Sequence, residues 1–539
     1  MFRPRTAAAA SLLLIPIVAG GFFLEKAPVH ATPRLFDQVL AIVANKYVDS
    51  LQGSDIYEKA AHGLVRELND PYSELLAPKQ NDEFNRAVGG RYGGVGMLLE
   101  EQKTPTSTTV VVSRVFPNTP AELGGVREGD RIVMVDSLST ADAKIDKVSD
   151  ALRGLAGTTV RVTFQRPGVT EPVKLQFKRA VIHVPAVPFT TMLDGKVGYI
   201  PLQTFNENTA EEVENAAKKL VADGAHGIVL DLRDNGGGIV DQSLAVTSLF
   251  LKPGQSIVDV RTRNAPNEMA RASDEQLSTQ PPMVVLTDGG TASASEIVAG
   301  ALQDHDRALV VGTTSFGKGL VQSIFPLDGG YALKITTGKW YTPSGRSIHR
   351  DRQLLADGRF VETKPDSLET EAEKKAKPKY SSDAGRTVYG GGGITPDLIV
   401  PDDTLTTVEQ DLLKSLAPKA QAFVTVLNQY AFELKSTAPR DFVVTPAWRA
   451  ELRRRLTAAG VTIEPKYEAA ANVLFDRELD RRVARFVLGD AGAKARGLSD
   501  DHQLARAVAL LKSSQTQQEL FAAAQASSRT TGRTGATPR

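Results

Sequence analysis

Hydrophobic spacing changes along the chain, and each change marks a region. Between residues 32 and 87 apolar side chains recur at helical intervals. Phe36, Val39, Leu40, Val43 and Tyr47 form one set, and Ile56, Ala60, Leu64 and Leu68 another, entered through Ser54-Asp55 as caps. Two amphipathic helices are predicted, with a break at Asp70-Pro71-Tyr72-Ser73. From 88 to 180 the texture is short strands between glycine turns: Met97–Glu100, Thr109–Ser113, Glu128–Asp136 and Thr159–Gln165. From 181 to 350 strands and helices alternate. Lys196–Leu202, Gly227–Leu232, Met283–Leu286 and Ala308–Gly312 read as strands. Glu211–Asp223, Ile239–Leu251 and Ser293–Leu302 read as helices between them. The unbroken apolar runs predict a largely parallel sheet buried on both faces.

Later regions carry weaker patterns. Residues 351–388 are charged and rich in Pro, Gly and Ser, which predicts an exposed insertion. Asp397 to Pro401 closes the core. From 404 to 512 the spacing is helical again, through Leu412, Leu413 and Leu416, Phe423–Leu434, Trp448–Leu456 and Ala469–Leu488. The 513–539 tail of Ser, Thr, Gln and Gly predicts disorder. At the other end Arg3 and Arg5 precede an uncharged run from Ala7 to Leu24, and Val29-His30-Ala31 offers a cleavage site. Residues 1–31 therefore read as a secretory signal or a retained membrane anchor. Either places the rest outside the cytoplasm, in the periplasm or on the outer face of the inner membrane.

Composition narrows the chemistry. At 539 residues the chain has room for several domains, and its net charge of +1 gives no signal for nucleic acid. There is no cysteine, so thiol catalysis, disulfides and thiolate zinc sites are excluded. The seven histidines have no metal-ligand spacing, and no metal or cofactor is expected.

Candidate chemistry gathers where strands end. Gly227–Leu232 runs into Arg233-Asp234-Asn235-Gly236-Gly237-Gly238, a strand–turn–helix start that presents backbone N–H groups to an anion or oxyanion. Gly312 to Lys318 fits most of a phosphate-binding loop, but Gly319 stands where that loop needs Ser or Thr, and β-formers follow instead of a helix. A Ser/Lys pair is the stronger reading. A serine hydroxyl needs an adjacent base, and a lysine serves when burial or a neighbouring cation keeps it neutral. Lys318 lies between glycines beside Phe316, and Ser293 between alanines at a helix start. Locally Ser293 also reads as a helix cap paired with Glu296, and Ser295 competes as nucleophile.

Several motifs carry a resemblance. Tyr92-Gly93-Gly94-Val95-Gly96-Met97, Gly129-Asp130 and Leu152-Arg153-Gly154 resemble a PDZ domain. Asp231-Leu-Arg-Asp-Asn-Gly-Gly-Gly238, Ser293-Ala-Ser-Glu296, Phe316-Gly-Lys-Gly319, Tyr341-Thr-Pro-Ser-Gly-Arg-Ser-Ile348 and Gly393-Ile-Thr-Pro-Asp397 resemble the carboxyl-terminal processing proteases of the S41 tail-specific peptidase family. The likeness covers about residues 32 to 403. It implies an α/β multidomain protein with a helical N-terminal region (32–87), a PDZ domain of mixed β with short helices (88–180), a crotonase/Clp-like α/β peptidase core (181–403) and a helical extension (404–512). It also implies roles: Ser293 as nucleophile, Lys318 as base, Gln322 orienting the lysine, and N–H groups of Ala294 and Gly237 (or Gly238) as oxyanion hole. Gly93, Gly94, Val95 and Gly96 would receive a substrate C-terminus, and Arg153 is a candidate for coupling the PDZ ligand to the active site. Gly236 departs from the family's proline. Expected partners are protein or peptide substrates with free, apolar C-termini, with the helical regions open to an adaptor or self-association. The alternatives are a non-catalytic PDZ binding protein on the same scaffold and a phosphate-binding NTPase.

Overall fold

The structure, a computed structural model, describes residues 32–104, 107–141, 143–166, 169–263, 265–354, 360–361, 375–401 and 405–534. The N-terminal signal or anchor and residues 355–359 and 362–374 of the 351–388 insertion lie outside these residues. Among the described residues no helix is long and apolar enough to cross a membrane. Two compact units emerge, Met1–Asp70 and Pro71–Arg539. The first holds the two expected helices, Thr32–Lys46 and Gly53–Arg66. Ile56 is buried there, while Phe36, Val39, Leu64 and Leu68 are exposed.

The second unit is built on a sheet ordered Thr191–Leu193, Val197–Pro201, Gly227–Asp231, Met283–Thr287, Leu309–Gly312 and Leu398–Ile399. Its first pair is antiparallel and the rest are parallel. Alternate side chains point to opposite faces. Ile228, Leu230, Met283, Val285 and Val310 pack under helices Thr209–Ala222, Val240–Ser248 and Ala294–Asp304. Val229, Val284, Leu286, Leu309 and Val311 face the other way. Because the parallel strands run in one direction, their C-terminal ends and following loops gather at one edge.

The second face is covered by the chain's last helices, His502–Lys512 and Gln517–Thr534. Leu504, Val508, Leu511, Leu520, Phe521 and Ala524 fill that core. This corrects the expected disordered tail. Leu520, Phe521 and Ala524 are a thin apolar stripe that means little alone, but the sheet supplies the rest of the core. Helix His502–Lys512 likewise belongs to the peptidase core rather than to a separate extension. The helices before it, Thr407–Leu416, Ala420–Leu434, Pro446–Ala458 and Glu468–Arg496, share a core of their own.

Strands Met97–Thr104, Ser107–Val115, Arg131–Val135, Thr159–Gln165 and Val173–Lys178, with helix Ile145–Leu152, enclose the PDZ-like core. A short ribbon of Arg91–Gly94 with Ala180–His183 closes its base. A further antiparallel sheet joins Glu74–Leu76, Ala332–Tyr341, Ser256–Thr262, Glu268–Arg271 and Leu320–Pro326. The break at Asp70–Ser73 thus leads into a strand paired with residues 332–334.

Leu511 is fully buried, and a Cβ added to Gly227 of the central strand would lie 3.0 Å from it. Leu511→Ala is expected to lower the unfolding free energy by about 2–5 kcal/mol, read from the urea midpoint. An unchanged midpoint would show that the last helices ride on the sheet without supporting it.

Candidate active site

Three loops meet at the C-terminal edge of the parallel sheet. The first follows Gly227–Asp231. Its Asn235 is fully buried and stitches the turn together. The Asn235 amide nitrogen donates to the Leu202 carbonyl (2.7 Å), and its amide oxygen accepts the Gly237 N–H (2.9 Å). The Asn235 carbonyl accepts the Ala292 N–H (3.0 Å) and the Ser295 hydroxyl (2.9 Å), joining this turn to the serine loop. Gly237 has a φ of 94°, and a Cβ there would come within 2.7 Å of the Ala292 carbonyl oxygen. Only glycine fits that approach. Gly236, the departure from the family's proline, has open space around its Cβ direction.

The second loop turns from Met283–Thr287 into helix Ala294–Asp304. Ser293 sits at the turn with φ 56° and ψ −116°. That is a left-handed conformation foreign to an ordinary helix cap and costs on the order of 1–3 kcal/mol. Such a strand–turn–helix elbow projects a serine side chain at a sheet edge. Ser295 lies one half-turn on, fully buried with its hydroxyl on the Asn235 carbonyl.

The third loop carries Lys318. Its N–H donates to Glu296 Oε2 (2.8 Å), the same oxygen that accepts the Ser293 N–H (2.8 Å). Glu296 Oε1 accepts the Gly317 N–H (2.7 Å) and the Ser315 hydroxyl (2.5 Å). Glu296 is completely buried. Burial pushes its carboxyl up from the ordinary value, while the four donors around its two oxygens pull the other way. The residue read from sequence as a cap partner therefore joins the serine loop to the lysine loop. Ser315 Oγ in turn accepts the Ile394 N–H (2.6 Å) from the Gly-Ile-Thr-Pro-Asp motif. Trp340 donates its indole N–H to the Lys318 carbonyl (3.1 Å) and its backbone N–H to the Gly319 carbonyl (3.1 Å). The loop then enters strand Leu320–Pro326, without the helix a phosphate-binding loop needs. Gln322, on that strand, donates to Thr336 Oγ1 at 3.3 Å.

The Lys318 amine lies 5.0 Å from the centre of the Tyr72 ring. The segment at the Asp70–Ser73 break thus reaches the lysine loop. At the far end of the serine helix, Asp304 binds buried Arg346 of the Tyr341–Ile348 motif (2.7 Å). The expected oxyanion donor Gly237 N–H is the one held by Asn235 in this conformation. The PDZ loop also has inward bonds. Gly93 and Val95 carbonyls accept the N–H groups of Gly154 (3.1 Å) and Ala121 (2.8 Å), and the Gly96 carbonyl accepts that of Phe116 (3.0 Å). Arg153 stands 3.6 Å from Asp150 and over the Tyr92 ring, contacts within the PDZ region and its base.

Arg233 of the glycine turn is clamped from both sides. It binds Asp231 at 2.6 Å and Asp501, the cap of helix His502–Lys512, at 2.9 Å. Tyr199 donates its hydroxyl to Asp231 (2.8 Å). Burial alone would raise the Asp501 carboxyl, but Arg233 and then Lys494 outweigh it and hold the group well below its usual value. The bridge thus contributes fully above about pH 4 and is lost as pH falls further. Beside it a cavity of about 1000 Å³ opens between the turn and helix Glu468–Arg496, lined by Arg233, Asp234, Asp288 and Arg481 among others. Among the described residues no group of three His, Asp or Glu side chains is placed to hold a metal.

Two measurements test these loops. Gly237→Ala should lower the urea midpoint, whereas Gly236→Ala should be tolerated and add about 0.4–1 kcal/mol of stability; equal behaviour of the two would refute the close approach. In acid titrations, Asp501→Asn should flatten the loss of stability below about pH 4, and a wild-type acid limb would exclude the bridge as its source.

Known proteins match along most of this chain. The profile of Peptidase family S41 matches residues 196–357, and that of the PDZ domain residues 111–166. The Carboxy-terminal-processing protease of Bartonella bacilliformis is 38% identical over 58% of this chain and 71% of its own length. The Carboxy-terminal processing protease CtpA of Bacillus subtilis is 30% identical over 86% of this chain and 96% of its own. Among solved structures, the photosystem II D1 C-terminal processing protease is 28% identical, with 69% of this chain and 88% of that chain covered and a TM-score of 0.36. The sequence relatives carry the assignment: the chain belongs to peptidase family S41, among its PDZ-bearing carboxy-terminal processing proteases.

Proposed function

We propose that the protein is an endopeptidase that cuts polypeptides with a Ser293/Lys318 dyad. One observation carries this reading: a strained serine elbow and a lysine loop tied to the same buried carboxylate. The neutral Lys318 amine takes the proton of Ser293 Oγ, and the oxygen attacks a peptide carbonyl. Charge on the resulting oxyanion is met by the Ala294 N–H and an N–H of the glycine turn. Serving there, Gly237 exchanges its bond to Asn235 for one to the oxyanion; Gly238 is the alternative donor. The lysine returns its proton to the leaving amine, and water then releases the acyl group by the same route. Gln322 orients the amine. Neither metal nor cofactor enters these steps.

The preference for Ser293 over Ser295 rests on burial and bonding, since the Ser295 hydroxyl is already committed to a structural bond. The loop Gly93–Gly96 would present N–H groups to a substrate's C-terminal carboxylate, with the peptide adding as a strand beside Met97–Thr104. Arg153, over the Tyr92 ring, would couple the bound peptide to the active site. Apolar C-termini, an adaptor or a second copy on the helical regions, and export through residues 1–31 complete the proposal. A non-catalytic PDZ scaffold is the second reading, and Asn235's hold on the Gly237 N–H is what favours it.

The test is cleavage of an unstructured polypeptide with an apolar C-terminus, without added metal or nucleotide. Wild type should cut it. Ser293→Ala should fall to background, Lys318→Ala should lose roughly 10²–10⁴-fold, and Ser295→Ala should remain active with a small loss of stability. Equal cleavage by wild type, Ser293→Ala and Lys318→Ala would eliminate the dyad. An intact, folded wild type that binds the C-terminus without cutting would establish the scaffold instead.

A further inference from the structure

Tyr72 belongs to a segment far in sequence from every residue of the proposed dyad, yet several contacts fix it against the lysine loop. Its hydroxyl accepts a hydrogen bond from Arg352 Nη1 (2.6 Å). Arg352 also donates to the Phe316 carbonyl (2.7 Å), and its guanidinium stacks 3.6 Å from the Phe316 ring centre. Phe316 is part of the Phe-Gly-Lys-Gly loop itself. Next to Tyr72, Ser73 Oγ accepts the Thr336 N–H (3.0 Å), and Thr336 Oγ1 is the group that receives Gln322. Glu74 then starts the strand paired to Lys334 and binds its amine (3.1 Å). The segment is thus pinned on both sides of the lysine. The tyrosine ring presents its face to the Lys318 amine at 5.0 Å.

From this placement we propose that Tyr72 is a positioning residue for Lys318: its ring receives the amine and steadies the positive charge that the amine acquires from the serine. The inference rests on the Ser293/Lys318 reading above. In the step concerned, the O–H bond of Ser293 breaks, an N–H bond forms on Lys318, and the serine oxygen's electron pair forms the bond to the substrate carbon. The amine is neutral before this step and cationic after it. An aromatic face attracts a cation far more than a neutral amine. The ring therefore stabilises the transition state more than the ground state, which is the condition for raising kcat. It also restricts a side chain that otherwise samples many rotamers. Arg352 contributes by fixing the ring through its hydroxyl and by tying it to the loop backbone, so ring and amine move as one body.

The experiment compares Tyr72→Phe with Tyr72→Leu and Tyr72→Met on the full chain, beside wild type and Ser293→Ala, with thermal unfolding measured for each. A peptidyl nitrophenyl ester gives the single-turnover acylation rate, and an unstructured peptide gives kcat and KM. Leu and Met should lower kcat and the acylation rate roughly 3- to 30-fold with KM held within about twofold, while Phe, which keeps the ring, recovers most of the loss. Using two aliphatic variants keeps the comparison open if one fails to fold. Wild-type kcat in a folded aliphatic variant, a change confined to KM, or a Phe variant as slow as Leu would overturn the proposal while leaving the dyad intact. Cleavage by Ser293→Ala would remove the dyad and the inference together.

Discussion

A single buried carboxylate organises the site. Glu296 receives two donors on each oxygen, and they come from both loops: Ser293 on one side, Ser315, Gly317 and Lys318 on the other. A carboxylate offers about four acceptor positions, and here all are used. An ionised group stripped of such partners in the interior would be very unfavourable. Separating the loops would leave a fully buried polar group without its donors, a cost that holds them together. Loops are ordinarily the mobile part of a fold. Here a serine and a lysine from neighbouring strand ends keep a common frame through one side chain.

Buried charge joins distant segments elsewhere in the same way. Arg346 and Asp304, both essentially without solvent exposure, lock the far end of the serine helix to the segment after strand Ala332–Tyr341. Arg386 reaches Asp306 and Asp397, tying the helix's exit to the last strand of the sheet. Arg233 does it a third time, between the glycine turn and the final helices. Such pairs add little net stability compared with apolar packing, but breaking one partner is severe. Their effect is to allow one arrangement of segments, which an apolar core of valines and leucines would specify less sharply.

The parallel sheet was legible in the sequence because its strands are unbroken apolar runs ending in glycine turns, and periodicity marked the helices between them. The site's neighbourhood followed from those strand ends. Its internal logic did not. A glutamate in the third position of a helix reads as a cap partner in any protein, and nothing local shows that Glu296 also holds another loop. Ser293 and Ser295 look alike as letters; a backbone dihedral and a hydrogen bond to Asn235 separate them. Tyr72 was hidden by distance along the chain. The helix at 517–534 was hidden by composition, since its burial comes from the sheet opposite it and not from its own apolar content.

The position of that helix has a consequence for biosynthesis. Residues 504–524 supply the cover for Val229, Val284 and Leu286, so a nascent chain paused anywhere before them carries a half-dressed sheet. It also carries an Arg233 whose second anchor, Asp501, has not yet been made. Contacts that close so late in sequence form slowly and leave apolar surface open meanwhile. Until residues 501–524 dock, Arg233 of the glycine turn is braced by Asp231 alone.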